Sequence, residues 1–391
     1  MNTILTVYKK EIKDTLRDKR TLITSIVLPA VIIPLLLFGI TKLTSTLMKK
    51  ESDKKLKIAL IGNTEAFKKQ LEDTTFTLLS SYALEDGKTA IAKDSLDAVI
   101  EFTPEFTANV NELKSGKINL YFKSTNLMLE KRISEKINGI KNGILDERLK
   151  KLNITPETLA PFDVTNVDIA TAKEQIGKMA GGFLPYIFIL FCFLGCMYPA
   201  IDLITGEKEK GTMETLLTSP ASRFQILIGK ILAIATIGLS AALMTIVGMV
   251  GGLKFMPNLP SDFLATINDM VSIKFIIMLF AMLIPLSLFF AGIMSALVIK
   301  AKSFKEAQSI LTPVNFMVII PAIMATIPGI ALNWQTAFVP ILNIALATRE
   351  IIAGTINIGQ YIVVVLSLIG FALGAAFLSY KQFSKEGMVL K

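Results

Sequence analysis

The sequence predicts a membrane α-helical protein with six transmembrane helices and an inserted extracellular mixed α/β domain. Hydrophobic residues make up 52% of the 391 residues, and the mean hydropathy of +0.56 is too high for a soluble protein of this length. Several apolar runs reach the roughly 20 residues needed to cross a bilayer. One block, residues 49–180, is charged and has few long apolar runs. These observations separate a membrane part from a polar insertion.

Residues 1–20 are predicted to form an interfacial amphipathic helix on the cytoplasmic face. Apolar residues recur every fourth position from Ile4 through Tyr8 and Ile12 to Leu16. Such a helix places its apolar side on the membrane and its cations near anionic headgroups. The residues assigned to this interfacial anchor are Lys9, Lys13, Arg17 and Arg20.

The first transmembrane helix is assigned to residues 21–48. The apolar run Leu22–Ile40 is longer than the hydrophobic region of a usual signal peptide, and no small-residue cleavage site stands out after it. A cleaved signal peptide is the alternative. Pro29 and Pro34 lie inside the run and predict a kink or a locally unwound turn.

Residues 49–180 are predicted to form the extracellular α/β domain, because roughly 130 residues can bury a core of their own. The block has no cysteine, so its stability is expected to come from packing. No catalytic cluster or nucleotide-binding motif is visible in it. The predicted strands are Leu56–Ile61, Leu96–Phe102 and Ile118–Lys123, and the predicted helices are 65–71 and Leu129–Leu152, the second with a single apolar stripe.

Residues 181–391 are predicted to hold the other five spans. A segment at 334–355 is too apolar for a free loop but carries polar residues, which predicts a re-entrant half-helix. Prolines recur in most of these segments, and Pro313, Pro321 and Pro328 are expected to break the fifth span. The predicted spans are Phe183–Ile204, Ile226–Gly252, Ile273–Ile299, Ile310–Leu332 and Ile356–Tyr380.

The net charge of +9 is explained by topology and not by nucleic-acid binding. The excess of Lys and Arg is concentrated in segments 1–20, 205–230, 300–306 and 381–391, whereas residues 49–180 are close to neutral. Basic loops stay on the cytoplasmic side. Both termini are therefore predicted to be cytoplasmic and residues 49–180 extracellular.

The composition excludes several kinds of enzyme. There is no His, which removes the common zinc motifs and His-dependent nucleophilic pairs. Cys192 and Cys196 lie one helical turn apart in an apolar run and are interpreted as packing residues. The phosphate-binding pattern GxxxxGK[ST] does not occur. We expect no catalytic site and no structural metal in this chain.

Polar residues within or near the membrane are the candidates for a transport path, since an intramembrane ionisable group is functional by default. Two purely structural interpretations remain open: an interfacial position for Asp202 and a helix-end ion pair of Glu350 with Arg349. The candidates for the transport path are Asp202, Asn315, Asn343 and Glu350.

The stretch 206–230, GEKEKGTMETLLTSPASRFQILIGK, is a charged island between two apolar runs. Thr212 is placed to cap a short helix that ends before Pro220. Met213, Leu216 and Leu217 would share one face of that helix, which suits docking of a soluble partner. Arg223 and Lys230 are expected at headgroup level. The alternative is an ordinary solvated loop.

This stretch closely resembles the conserved cytoplasmic loop of ABC-2-type transporter permeases. The sequences YKKEIKDTLRDKRTL (8–22), MYPAIDLITGEKEKGTMETLL (197–217), KSFKEAQS (302–309) and FSKEGMVLK (383–391) are similar to NatB-type permeases of sodium-extruding ABC transporters. The similarity covers the whole chain except the external domain.

The resemblance implies a coupling loop at 205–225 that seats in a groove of an ATPase subunit. The implied assembly has two copies of this permease and two of a NatA-like ABC ATPase in the cell membrane, among membrane lipids. ATP and Mg²⁺ would be used by the ATPase, and Na⁺ would be the substrate. The implied coupling residues are Glu207, Glu209, Gly211, Thr212, Met213, Glu214, Leu216, Leu217 and Pro220.

Two other functions remain open at this point. Close relatives with the same motifs export drugs or antimicrobial peptides, so such a substrate is the first alternative. The second is a non-transporting sensor or scaffold, in which the external domain binds a ligand and the loop signals inward.

Overall fold

The computed structural model describes residues 3–62, 68, 70–71, 75–80, 82–123, 127–155, 169–171, 173–175, 177, 182–213, 218–254, 268–269, 272–327 and 329–384. The chain divides into two compact units: Met1–Ile40 with Asp168–Lys391, and Thr41–Val167. The units meet at 40/41 and 167/168, whereas the sequence predicts domain boundaries further along the chain, at 48/49 and 180/181.

The first unit is helical, as the sequence predicts for the membrane part, and the second unit contains helices and strands. In chain order the elements are α1 (Thr3–Arg17), α2 (Leu28–Asp53), β1 (Leu56–Ile61), β2 (Phe76–Leu79), α3 (Leu84–Ala92), β3 (Ala98–Phe102), α4 (Phe106–Asn111), β4 (Ile118–Phe122), α5 (Leu127–Leu152), α6 (Phe183–Ala200), α7 (Arg223–Lys254), α8 (Ile273–Val298), α9 (Phe304–Met324), α10 (Leu342–Ala353) and α11 (Ile358–Phe383).

Six helical segments in the described part of the chain are long and apolar enough to cross a membrane, as the sequence predicts. Each corresponds to one predicted span, although the ends differ by several residues. The segments are Ile23–Asp53, Phe183–Glu209, Arg223–Lys254, Ile273–Val298, Phe304–Met324 and Ile358–Phe383.

The first span begins with a π-helical turn, Ile23–Val27, and continues as α2 to Asp53, beyond the predicted end at 48. Pro29 cannot donate a hydrogen bond to the carbonyl of Ser25, and its ring crowds the preceding turn. A widened turn before the proline accommodates this defect. The predicted local unwinding is therefore a change of helix type.

The fifth span differs most from the prediction. Ser303 caps α9 by accepting a hydrogen bond from the Glu306 amide, so the helix begins at Phe304 and not at 310. It runs without a break through Pro313 and Pro321 and ends at Met324. Its predicted breakage at these two prolines is therefore wrong, since the helix tolerates the two missing amide donors. Pro328 lies outside the described residues.

The core of the first unit is built around α6, which contacts α7, α8, α9 and α10. The Phe193 and Phe290 rings meet edge to face with centroids 5.4 Å apart and are fully buried. Cys192 and Cys196 are reduced and also fully buried, as expected for packing residues. Helices α7 to α10 are thus positioned against α6, whereas α11 packs mainly on α8 and α1 packs on α7.

The second unit contains a four-stranded sheet in the order β2-β1-β3-β4, with only the β3–β4 pair antiparallel. Helix α5 packs on one face through Leu129 and Ile133, and α3 packs on the other through Ala90 and Ile91. The strand Leu56–Ile61 has its predicted bounds. Strand β2 and helices α3 and α4 were not predicted, and most of the predicted helix 65–71 lies outside the described residues.

Candidate coupling site

The described part of the predicted coupling loop begins as a continuation of α6. After α6 the helix widens into a π-helical segment, Ile201–Gly206, and then closes with one turn, Glu207–Glu209. Gly211 ends the turn with a φ of +68°, a conformation that favours glycine because it has no Cβ. Glu207 and Glu209 therefore lie on the last turn of the helix that continues α6.

Lys230 is the buried centre of this site. Its Nζ lies 2.8 Å from Glu11 Oε1 and 2.8 Å from Glu207 Oε2. The same Nζ also donates a hydrogen bond to the Leu203 carbonyl oxygen at 2.8 Å. The side chains of Lys230 and Glu11 are 0% and 1% exposed, so the ammonium replaces its lost hydration with three protein oxygens.

Lys10 closes the network on its exposed side. Its Nζ lies 3.1 Å from Glu207 Oε1 and 3.2 Å from Glu11 Oε1. Burial lowers the pKa of Lys10, but attraction to Glu11 and Glu207 outweighs it, so the pKa lies above its usual value. Two cations and two carboxylates therefore balance each other, which is the condition for keeping charges away from water. We call Lys10, Glu11, Glu207 and Lys230 the buried network.

Helix α1 reaches the network because it packs directly on α7. A Cβ at Gly229 would lie 2.7 Å from Val7 Cγ1 and 3.2 Å from the Ile4 carbonyl oxygen. The glycine therefore permits a close approach of the two helices that a larger residue would prevent. Contact at Gly229 holds Glu11 within reach of Lys230, one residue further along α7.

The buried face of α1 differs from the predicted one. Its buried residues are Val7, Glu11 and Thr15, while Leu16 is 56% exposed. The buried residues recur every fourth position, as predicted. The buried face is shifted one residue toward the N-terminus of α1 because it packs on protein. Lys9, Lys13 and Arg17 are exposed, and Arg20 belongs to the short helix Lys19–Leu22. Their role as an interfacial anchor stays a prediction.

The predicted headgroup position of Lys230 is wrong, since this side chain has no exposed surface. Glu11 was not singled out at all. The sequence signal was a lysine two turns inside an apolar helix, which by default indicates a functional or paired group. Glu11 is harder to find because it lies among solvated charges of α1.

The other side of the loop is braced against α8 and α9. Thr205 Oγ1 donates to the Val298 carbonyl at 3.1 Å, and Lys208 Nζ donates to the Ile299 carbonyl. Glu209 Oε2 accepts the Phe304 amide at 3.0 Å, one of the amides that a helix N-terminus leaves without a partner. The same short turn thus contacts four helices: α1, α7, α8 and α9.

The remaining predicted coupling residues are only partly described. Met213 is buried in the core, whereas Thr212 and Pro220 are exposed. Thr212 Oγ1 donates to the Glu207 carbonyl at 3.3 Å, which ties it to the preceding turn. Glu214, Leu216 and Leu217 lie outside the described residues, as do the amides that a Thr212 cap would satisfy.

Asp202 and Asn315, two of the four candidates for the transport path, lie in different surroundings. Asp202 belongs to the π-helical segment beside the loop; its side chain is 44% exposed and lies 3.6 Å from Lys210 Nζ. Asn315 is half-buried on α9, and its Oδ1 has no hydrogen-bond partner among the described residues.

Asn343 and Glu350 lie on α10 and are engaged in protein contacts. The Asn343 amide donates to the Ala337 carbonyl at 3.2 Å and to Ser367 Oγ at 2.9 Å. Glu350 accepts from Thr355 and lies 3.6 Å from Arg349. No hydrogen bond or ion pair in the described part of the chain joins any two of the four candidates.

The described residues contain six apolar helices and a braced acidic loop between the second and third of them, an arrangement that fits a membrane permease. The chain belongs to the ABC-2 family of transporter proteins, whose family model matches residues 19–381. It is 27% identical over 366 residues to the ABC transporter permease protein NatB of Bacillus subtilis (strain 168), covering 90% of each chain. The uncharacterized protein MJ1024 of Methanocaldococcus jannaschii is 25% identical over 247 residues, which cover 60% of this chain and 57% of that protein. No solved structure matches the chain.

Proposed function

We propose that this chain is the permease subunit of an ATP-driven exporter that extrudes Na⁺ across the cell membrane. Membership of the ABC-2 family implies an ABC ATPase as partner. In the proposed assembly two permeases flank one path, and two NatA-like ATPase subunits bind the coupling loops on the cytoplasmic side. ATP-driven closure of the ATPases would move the loops and alternate access to the path.

The buried network is the observation that supports this mechanism. Glu207 on the loop is joined through Lys230 to α7 and through Lys10 and Glu11 to α1. A displacement of the loop cannot leave Lys230 behind, because separating these charges without water is costly. When an ATPase subunit displaces the loop, α1 and α7 would therefore move with it as one body.

Sodium is supported by the resemblance of four segments to sodium-extruding permeases and by the similarity to the Bacillus subtilis permease. The four polar candidates give it no further support. In the described residues they do not converge, and the Asn343 amide is used by Ala337 and Ser367. This favours an exporter of drugs or antimicrobial peptides as the second candidate, since such a path needs no cluster of oxygen ligands.

Flux of ²²Na⁺ in proteoliposomes tests the proposal, with the permease, its ATPase partner, and ATP supplied on the ATPase side. Glu207→Gln removes the charge that links the loop to Lys230 and Lys10. Asp14→Asn is the matched control because its carboxylate is 52% exposed and lies 3.7 Å from Lys10. We expect ATP-dependent flux in the wild type and in Asp14→Asn, and a decrease of at least about tenfold, or ~1.4 kcal/mol of coupling, in Glu207→Gln.

The outcomes separate the candidate functions. Absence of sodium flux, together with ATPase activity stimulated by a drug or a cationic peptide, would move the substrate to the second candidate and leave the coupling site unchanged. Ligand-stimulated signalling without any flux would indicate the sensor or scaffold. Equal flux in Glu207→Gln and the wild type would remove the buried network from the coupling mechanism.

A further inference from the structure

Helix α5 of the second unit has an apolar stripe that extends beyond the core it helps to form. Leu129 and Ile133, in its first half, are 4% and 1% exposed against the sheet. The stripe then continues through Ile137, Ile140 and Ile144, which are only half-buried. The second half of the helix therefore presents apolar side chains that the sheet does not fully cover.

A cavity of about 420 Å³ lies between this part of α5 and the end of the sheet. Its volume is in the range of small-molecule sites, roughly 300–1,000 Å³. The opposite wall is preformed: the Phe102 and Phe106 rings meet edge to face at 5.0 Å, and a Cβ at Gly116 would lie 2.4 Å from the Phe106 ring. All the lining residues belong to the second unit.

Two basic side chains, Lys141 and Arg148, line the same cavity, and none of its described lining residues is acidic. They are seven residues apart on α5 and share a face with Ile137 and Ile144. Arg148 Nη2 donates to the carbonyl oxygens of Val110 at 3.1 Å and Lys114 at 2.8 Å. These bonds hold the guanidinium at the wall, while its buried Nε has no partner among the described residues.

We propose that this cavity binds an amphipathic anion of the medium-chain carboxylate class. The acyl chain would contact the isoleucine stripe and the Phe106 ring, and the carboxylate would lie at Arg148 and Lys141. Both hydrogens of Arg148 Nη2 are used by the carbonyls of Val110 and Lys114, so the carboxylate would accept from the remaining N–H groups of this permanently charged guanidinium. At the roughly 30 Å³ that a water molecule occupies in the liquid, the cavity holds about fourteen water-sized groups, enough for the dozen or so non-hydrogen atoms of decanoate.

Photoaffinity labelling of the full-length chain in zwitterionic nanodiscs tests the proposal. The probe is decanoate with a diazirine at its methyl end, and decanol with the same diazirine is the neutral counterpart. Labelled positions are mapped by peptide mass spectrometry. We expect the acid to label residues that line the cavity, excess decanoate to reduce this labelling at least tenfold, and the alcohol to label the cavity much less.

Three variants sharpen the test. Ile140→Trp fills the cavity and should abolish the labelling, while Leu152→Trp adds the same ring at a half-exposed position of α5 away from the cavity. Lys141→Gln changes an exposed side chain and should weaken labelling by the acid without affecting the alcohol. Limited proteolysis of each variant confirms the fold.

Three results would overturn the proposal. The first is wild-type labelling of the cavity no stronger than that of the bilayer-facing helices, and the second is unchanged labelling in Ile140→Trp. The third is equal labelling by acid and alcohol in both the wild type and Lys141→Gln, which would mean that the cavity does not recognise an anion.

Discussion

Two carboxylates in this protein lie at similar distances from their hydrogen-bond partners but in different surroundings. In the first unit, Glu11 lies 2.8 Å from Lys230, and both side chains are almost fully buried. In the second unit, Glu101 accepts hydrogen bonds of 2.9 Å from Asn119 Nδ2 and Tyr121 Oη, and these contacts are only partly buried. Because water weakens electrostatic interactions, equal distances do not mean equal contributions. Burial decides which of the two carboxylates the fold depends on.

The largest effect is expected for Lys230→Met, which leaves Glu11 buried without its nearest cation. Removing one partner of a buried ion pair costs about 3–5 kcal/mol, because the remaining charge cannot be solvated. We expect a clear decrease in the Tm of the purified permease, measured by differential scanning fluorimetry in detergent. An unchanged Tm would mean that Lys230 is solvated, as the sequence suggested.

A double variant separates stability from coupling. Replacing a buried ion pair with apolar side chains is often neutral or stabilising, so Lys230→Met combined with Glu11→Leu should recover most of the lost stability. Glu207 would still lack its link to α7, and ATP-dependent flux should stay low. Recovery of both properties would show that the buried network only maintains the fold.

Gly229→Ala should produce the next largest effect, because a methyl group there meets Val7 on α1. Forcing an extra carbon into a packed interface costs about 1–3 kcal/mol. Gly251→Ala is the control in the same helix, since a Cβ at Gly251 meets nothing within 4 Å. That change should leave the Tm unchanged or raise it, because alanine favours a helix over glycine by up to ~1 kcal/mol. Equal Tm values for the two variants would contradict the close approach of α1 and α7.

The sequence predicts the six spans because long apolar runs leave few alternatives for a chain in a bilayer. It also predicts β1 with its exact bounds, where apolar residues are bounded by turn residues. The start of α9 was missed, since the Ser303 cap lies among charged residues that resemble a loop. Strand β2 was missed for a related reason: four residues are too few for a clear alternation.

The candidate site was predicted in part. The acids of the loop were recognised from their density between two apolar runs, but their partners come from α1 and α7, and Glu11 and Lys230 are 219 residues apart. The spacing of apolar residues shows which face of a single helix is buried. It does not show which other helix packs on that face. Lys230 therefore looked like a headgroup-level residue until its neighbours were known.

Glu209→Ala should have a smaller effect than the changes at Lys230 and Gly229. Glu209 Oε2 accepts the first amide of α9 and places a negative charge at the positive end of that helix. Losing this contact should cost about 1 kcal/mol. Lys210→Ala is the control, because Lys210 is 68% exposed and its partner, Asp202, is 3.6 Å away. A larger Tm decrease for Lys210→Ala than for Glu209→Ala would contradict the bracing of the loop against α9.

The smallest effect is expected for Glu101→Gln, the partly buried member of the comparison, and it should depend on pH. Hydrogen bonds from Asn119, and then from Tyr121, favour the ionised form and hold the pKa of Glu101 below its usual value. A carboxylate with a lowered pKa stabilises the fold above the pKa of the unfolded chain, about 4.3, and this stabilisation is lost as the pH falls through the folded value. The variant should therefore have a slightly lower Tm than the wild type at pH 7, and the difference should vanish in acid.

Glu112→Gln, which removes a surface carboxylate paired with Lys114, controls for the change in net charge. Parallel Tm curves for Glu101→Gln and the wild type between pH 7 and acid would show that the two hydrogen bonds do not favour the ionised carboxylate.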